Sequence, residues 1–185
     1  MKKILLITLV ALLGIATANA QIKVGAKAGG NLATITDENA KFKLGFHIGG
    51  FAEFTIADRI AIQPELLFST QGASIKNVDN ASLNLSYLNV PVLLKVKLTE
   101  GLSAEVGPQV GFLLSAKSTG EESRDLKERC KTLDFTAVAG LSYTFAEKFV
   151  VGARYNFGLT NVYKETEDDS KLKNSVIQVS FGYKF

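Results

Sequence analysis

The chain has 185 residues, of which 46% are hydrophobic, with 21 lysines and arginines against 18 acids. That length suits one domain, and the composition excludes a disordered, collagen-like or disulfide-framework chain. A formal net charge of +3 offers no strongly basic surface for nucleic acid and no acidic tail.

Residues 1–20 carry the three parts of an export signal. Lys2 and Lys3 form a positive start, Ile4 to Leu13 form a short apolar run broken only by Thr8, and Ala18-Asn19-Ala20 forms a small-x-small cleavage site. The run is shorter than the ~20 apolar residues of a membrane-spanning helix. Cleavage before Gln21 is expected, as in a bacterial secretory protein, with 21–185 as the mature domain. No cysteine follows the site, so no lipoprotein anchor is expected. Losing the two lysines leaves 19 basic against 18 acidic residues.

Beyond Ala20 the pattern has period two, the period of strands. Strands are predicted near 22–33, 42–55, 60–75, 84–98 and 102–116. Their apolar faces begin with Ile22, Val24, Ala26 and Ala28, then Phe42, Leu44, Phe46, Ile48 and Phe54, then Ile60, Ile62, Leu66 and Phe68. Leu88, Val90, Val92, Leu94, Val96 and Leu98 follow, then Leu102, Ala104, Val106, Val110, Phe112 and Leu114. Three more strands set Phe135 to Phe145, Val151 to Leu159 and Ile177 to Phe185 in the same alternation. Segments 56–59, 99–101 and 146–148 read as short turns, and 34–41, 76–83, 117–133 and 164–173 as longer polar loops.

Eight long strands with short turns at one end and long loops at the other predict an all-β fold: an eight-stranded antiparallel up-and-down transmembrane β-barrel. With the N-terminus entering from the periplasm, the long loops lie outside. Phe145, Phe149, Phe54, Tyr183 and Phe185 then form one aromatic band, and Phe42, Phe68, Phe112, Phe135 and Phe157 the other. Phe181, Tyr183 and Phe185 end the chain as a C-terminal barrel signature. A soluble lipocalin-like barrel around a hydrophobic ligand has the same alternation with its apolar face inward. The glycine-rich second face, the loop asymmetry and the aromatic terminus favour the membrane.

The second face carries the charges, including Lys23, Lys27, His47, Glu53, Glu65, Lys95, Lys97, Glu105 and Arg154. An eight-stranded barrel is just wide enough inside for side chains, and unpaired charges there cost several kcal/mol. Glu53, Glu65 and Glu105 are expected to pair with Lys27, Lys95 and Arg154 as a structural network. The alternative is a narrow path for ions or small solutes. Pro64, Pro91 and Pro108 fall inside strands, so bulges or irregular pairing are expected there.

Little else in the chain points to chemistry. Cys130, the one cysteine, lies in the charged segment Glu121 to Lys131 and reads as an exposed thiol. His47, the one histidine, has interior parity and reads as a core residue beside Glu53 rather than a catalytic base. No catalytic, cofactor or metal residue is nominated, and no enzymatic activity is expected. The acids Glu165, Glu167, Asp168 and Asp169 lack the spacing of a calcium loop. The sequons at Asn80 and Asn84 carry little weight in a bacterial protein.

Two segments carry a family resemblance. Gln63-Pro64-Glu65-Leu66-Leu67-Phe68-Ser69, with Gly72 following, and Tyr87-Leu88-Asn89-Val90-Pro91-Val92-Leu93-Leu94-Lys95 resemble the Bacteroidota outer-membrane β-barrel family of PorT-like and porin family proteins. Val24-Gly25-Ala26-Lys27-Ala28-Gly29-Gly30-Asn31 is similar to its first strand. The resemblance implies an outer-membrane location and explains why prolines stand in strands, but implies no single activity. The expected role is structural or interactive. The expected partners are outer-membrane lipid and, during biogenesis, the barrel assembly machinery, with no nucleic acid and an unknown extracellular or periplasmic partner.

Overall fold

The computed structural model describes residues 22–36, 40–75, 82–119, 124–163 and 172–185. The export signal, the acidic stretch around Asp168 and about half of the long-loop residues fall outside that set. Eight long strands account for most of what is described: β1 (Ile22–Ile35), β2 (Lys43–Ala57), β3 (Ile60–Ile75), β4 (Ser82–Lys97), β5 (Leu102–Thr119), β6 (Leu133–Phe145), β7 (Phe149–Asn161) and β8 (Lys173–Lys184). Two-residue strands at Ala40–Lys41 and Arg124–Asp125 extend the ladders of β3 and β5.

Each strand pairs antiparallel with its neighbours in sequence, and β1 pairs with β8 through Gly25↔Lys184 to Ile35↔Asn174. The sheet is therefore a closed meander without edges, which satisfies every ladder from within. Several strands run past the predicted ends, notably β5 to Thr119 and β8 from Lys173, because their ladders continue into the long-loop segments. The short turns lie at 58–59, 98–101 and 146–148. Ala146 and Glu147 hold φ of 49° and 59°, the left-handed region that lets a tight turn match strand twist.

Burial decides which face is outside. Leu44 is 82% exposed, Val179 62% and Val106 54%, while Lys27, Glu65, Lys95, Glu105 and Arg154 are all buried. The polar face is inward and the apolar face outward, the reverse of a lipocalin-like barrel. The soluble alternative falls on this point, because a belt of exposed Ile, Leu, Val and Phe needs hydrocarbon around it.

The prolines carry no bulge, but the irregular pairing expected there is present, since the ladders skip Pro64 opposite β2, Pro91 opposite β3 and Pro108 opposite β4. Phe51↔Glu65 and Phe54↔Ile62 keep one register on either side of Pro64. Pro91↔Gln109 and Leu94↔Val106 do the same past Pro108. The shifts in register lie instead at Thr55/Ala57, Ser86/Tyr87 and Lys173/Ser175. The second of these pairs Ser86 with Ser115 and Tyr87 with Leu113, so one extra residue of β5 flips the facing beyond it. That flip turns Ala116 inward and leaves it fully buried.

Aromatic side chains gather at the short-turn end. The Phe149 ring lies 5.4 Å from Phe145, 5.9 Å from Phe181 and 5.3 Å from Tyr183, and Tyr183 lies 5.7 Å from Phe185. The Lys148 ammonium sits 5.7 Å from the Tyr183 ring. Toward the long-loop end, Phe46 and Phe68 meet at 5.9 Å on the outer face.

Candidate functional site

The candidate site is the barrel interior, which is built in three levels. Lys27, Glu53, Glu65, Lys95, Glu105 and Arg154 come from β1, β2, β3, β4, β5 and β7, and the structure brings all six together. Arg154 is the hub. Its Nη1 and Nη2 donate to the two oxygens of Glu65 at 2.9 Å each, and its Nε donates to Glu105 at 2.6 Å. This is the two-pronged geometry for which a guanidinium is shaped. Lys27 reaches Glu65 at 2.7 Å, and Lys95 spans from Glu53 at 2.9 Å to Glu105 at 3.5 Å.

Sequence reasoning missed a seventh member. Lys184 of β8 donates to both Glu53 oxygens, at 3.1 and 3.0 Å. Its interior parity was the signal that could have found it. With Lys184 the level holds four cations and three carboxylates, drawn from seven of the eight strands. Lys23 and Lys97 share that parity but stand exposed at the short-turn rim, past the last closed ring of side chains.

Glycines make the space that these groups fill. A Cβ on Gly140 would lie 2.6 Å from Arg154 Cγ, one on Gly25 would lie 2.4 Å from the Phe51 ring, and one on Gly29 would lie 2.7 Å from the His47 ring. The void beside Lys27, Glu105 and Arg154 is about 10 Å³, room for a single water molecule.

The second level is an amide layer. Asn31 Nδ2 donates to Ser69 Oγ at 3.0 Å and to Thr70 O at 2.8 Å, and its Oδ1 accepts from Gln178 Nε2 at 3.0 Å. His47 Nδ1 meets the same Oδ1 at 2.7 Å. His47 is therefore interior as expected, but not beside Glu53. Six residues separate them along β2, ~20 Å at the rise of an extended strand. Gln71 donates to Ser69 at 3.0 Å and accepts from Asn174.

The third level is apolar and faces the long loops. Leu83, Leu85, Tyr87, Leu113, Ala116, Cys130 and Val162 form one buried cluster, with Leu126 and Leu172 packed against it. The chain beyond β5 folds back over the barrel mouth. Leu126 N donates to Ala116 O at 2.9 Å, Cys130 N to Leu126 O at 3.1 Å and Lys131 N to Val162 O at 2.8 Å. Cys130, expected to be exposed, is 0% exposed, and its backbone bridges to Tyr163. Lys127, Glu128 and Arg129 beside it are exposed, while Cys130 itself is buried.

The comparisons agree with this geometry. A family model described as an outer membrane protein beta-barrel domain matches residues 17–164. No curated protein sequence matches the chain. Among solved structures, the attachment invasion locus protein Ail of Yersinia pestis is similar at 16% identity, covering 88% of this chain and 98% of its own, with a TM-score of 0.54. Neisserial surface protein A is similar at 14% identity, covering 90% and 99%, with a TM-score of 0.56. At such identities these likenesses bear on the fold alone.

Proposed function

Because the chain belongs to the outer membrane protein beta-barrel domain family and is located in the outer membrane, we propose that it is a closed, non-conducting barrel with a structural and interaction role. In this reading residues 1–20 are cleaved, the short turns lie in the periplasm and the long loops face outward. The barrel assembly machinery takes up the C-terminal Phe181, Tyr183 and Phe185, and the six residues predicted for the network, with Lys184, hold the wall in register. The Bacteroidota, PorT-like origin rests on the two proline-containing motifs.

One observation carries the proposal. The Arg154 guanidinium crosses the interior to bind Glu65 and Glu105 at once, at a level where the adjoining void admits a single water. The apolar cluster at the loop end adds a second barrier, since a dry constriction opposes ion passage. A non-enzymatic role is supported by the placement of His47, whose ring lies inside the wall against Asn31.

Planar-bilayer recording of the purified protein tests the proposal. The expected trace shows no conductance steps. Reproducible unitary steps that persist in the wild type would favour the narrow channel instead.

A further inference from the structure

We propose that the short-turn mouth of the barrel is a binding site for one phosphate-type anion, a property that goes beyond the structural role and holds whether or not the lumen conducts. A pocket of about 250 Å³ opens there. Lys23, Arg59 and Lys97 line its rim, with Lys95 and Lys184 deeper. The acids that share it are Glu53, Glu100 and Glu147. Five cations thus face three carboxylates.

The imbalance begins in the buried floor. Lys95 and Lys184 converge on the single carboxylate of Glu53, at 2.9 and 3.0 Å. Glu105 is already bound to Arg154, and Lys95 reaches it at only 3.5 Å. The buried level therefore has one cation in excess, in surroundings where a surplus charge is poorly screened. Outward from it, Lys23, Arg59 and Lys97 make no ion pair with a described residue. They project from β1, the β2–β3 turn and β4, so they line the half of the opening formed by those four neighbouring strands. A cation-rich mouth with low-dielectric walls concentrates anions.

The charge selects the ligand class. Five cations against three acids leave a surplus of two, which matches the ~−1.5 to −2 carried by a phosphomonoester near pH 7. A compact tetrahedral oxyanion offers several acceptor oxygens to ammonium groups approaching from different strands, and lysine binds phosphate as a point charge. The pocket of about 250 Å³ has room for a phosphate or pyrophosphate group, and its cations favour such an anion over an apolar ligand. Free phosphate and a phosphate headgroup from the adjacent leaflet share this chemistry.

Calorimetric titration of the full chain, refolded in zwitterionic detergent and phosphate-free buffer, with inorganic phosphate and with pyrophosphate tests the site. One-site saturable binding is expected, weakening as ionic strength rises. The Lys23→Gln/Lys97→Gln pair weakens it roughly tenfold with a wild-type melting temperature, and Glu100→Gln tightens it. Arg59→Gln, in an exposed turn, supplies an independent variant with roughly threefold loss. Absence of saturable binding, or unchanged affinity in both Arg59→Gln and the lysine pair, overturns the proposal. In nanodiscs, competition by added phosphatidic acid assigns the site to a headgroup. Undiminished pyrophosphate affinity in the same discs assigns it to a free anion, and both results support the site.

Discussion

Replacing Arg154 by methionine keeps the apolar stem and deletes the hub of the interior. Three charge-assisted hydrogen bonds of 2.6 to 2.9 Å disappear. Glu65 keeps Lys27 at 2.7 Å, whereas Glu105 keeps only Lys95 at 3.5 Å. One carboxylate remains buried and nearly unpaired, and removing one partner of a buried pair costs ~3–5 kcal/mol. With ~2–4 °C lost per kcal/mol in a chain of this size, Arg154→Met is expected to lower the melting temperature by about 6–20 °C. The assay is heat-modifiable gel migration against temperature, which reads the folded barrel directly. The double variant Arg154→Met/Glu105→Gln, which removes the stranded charge, should recover part of that loss, with a coupling of ~1–3 kcal/mol. A single variant that melts within about 2 °C of the wild type, or a double variant that loses the plain sum of the two, refutes the hub.

Val179 lies mid-strand in β8 and is 62% exposed on the outer face. Val179→Lys should cost ~2–4 kcal/mol in urea unfolding from lipid vesicles, with Val179→Phe close to neutral; an unperturbed lysine variant would mean the position does not face lipid. Cys130 should resist maleimide in the folded protein and react fully after boiling in detergent, since it is 0% exposed; rapid labelling of the folded form would contradict the loop-end cluster. Gly29→Ala places a Cβ 2.0 Å from Val179 O and 2.7 Å from the His47 ring, so a marked loss of heat-modifiable material is expected on gels. A wild-type melting curve for that variant would show that the wall has slack there.

The strands and their two faces were readable because alternation is a local property, set by the pleat residue by residue. Parity alone put Lys27, Glu53, Glu65, Lys95, Glu105 and Arg154 on one side, and the narrow bore did the rest. Partners along the barrel axis were not readable. The spacing along β2 already separates His47 from Glu53, but that His47 meets Asn31 follows from the β1–β2 register, which sets Gly29 opposite His47, and register depends on pairing across the chain. The apolar third level was half visible, since Leu83, Leu85 and Tyr87 share the parity of Lys95. Cys130 was misjudged because its sequence neighbours are charged, while its burial comes from a backbone that folds back over the mouth.

The ion pairs also impose an order on assembly. Glu53 is 131 residues from Lys184, and Glu65 is 89 residues from Arg154. Hairpins of neighbouring strands can form early, but only β4–β5 pairs an interior acid of its own, Glu105 with Lys95 at 3.5 Å. Contacts of such long separation come late and slow the folding of a β topology. Glu53 waits with Lys95 until β8 arrives, and the strand that closes the ring also brings the final cation. Closure thus completes the Glu53 pairing, and a sheet that stalls before it exposes its charged face and open strand edges to the bilayer and is driven either forward to the ring or out of the membrane.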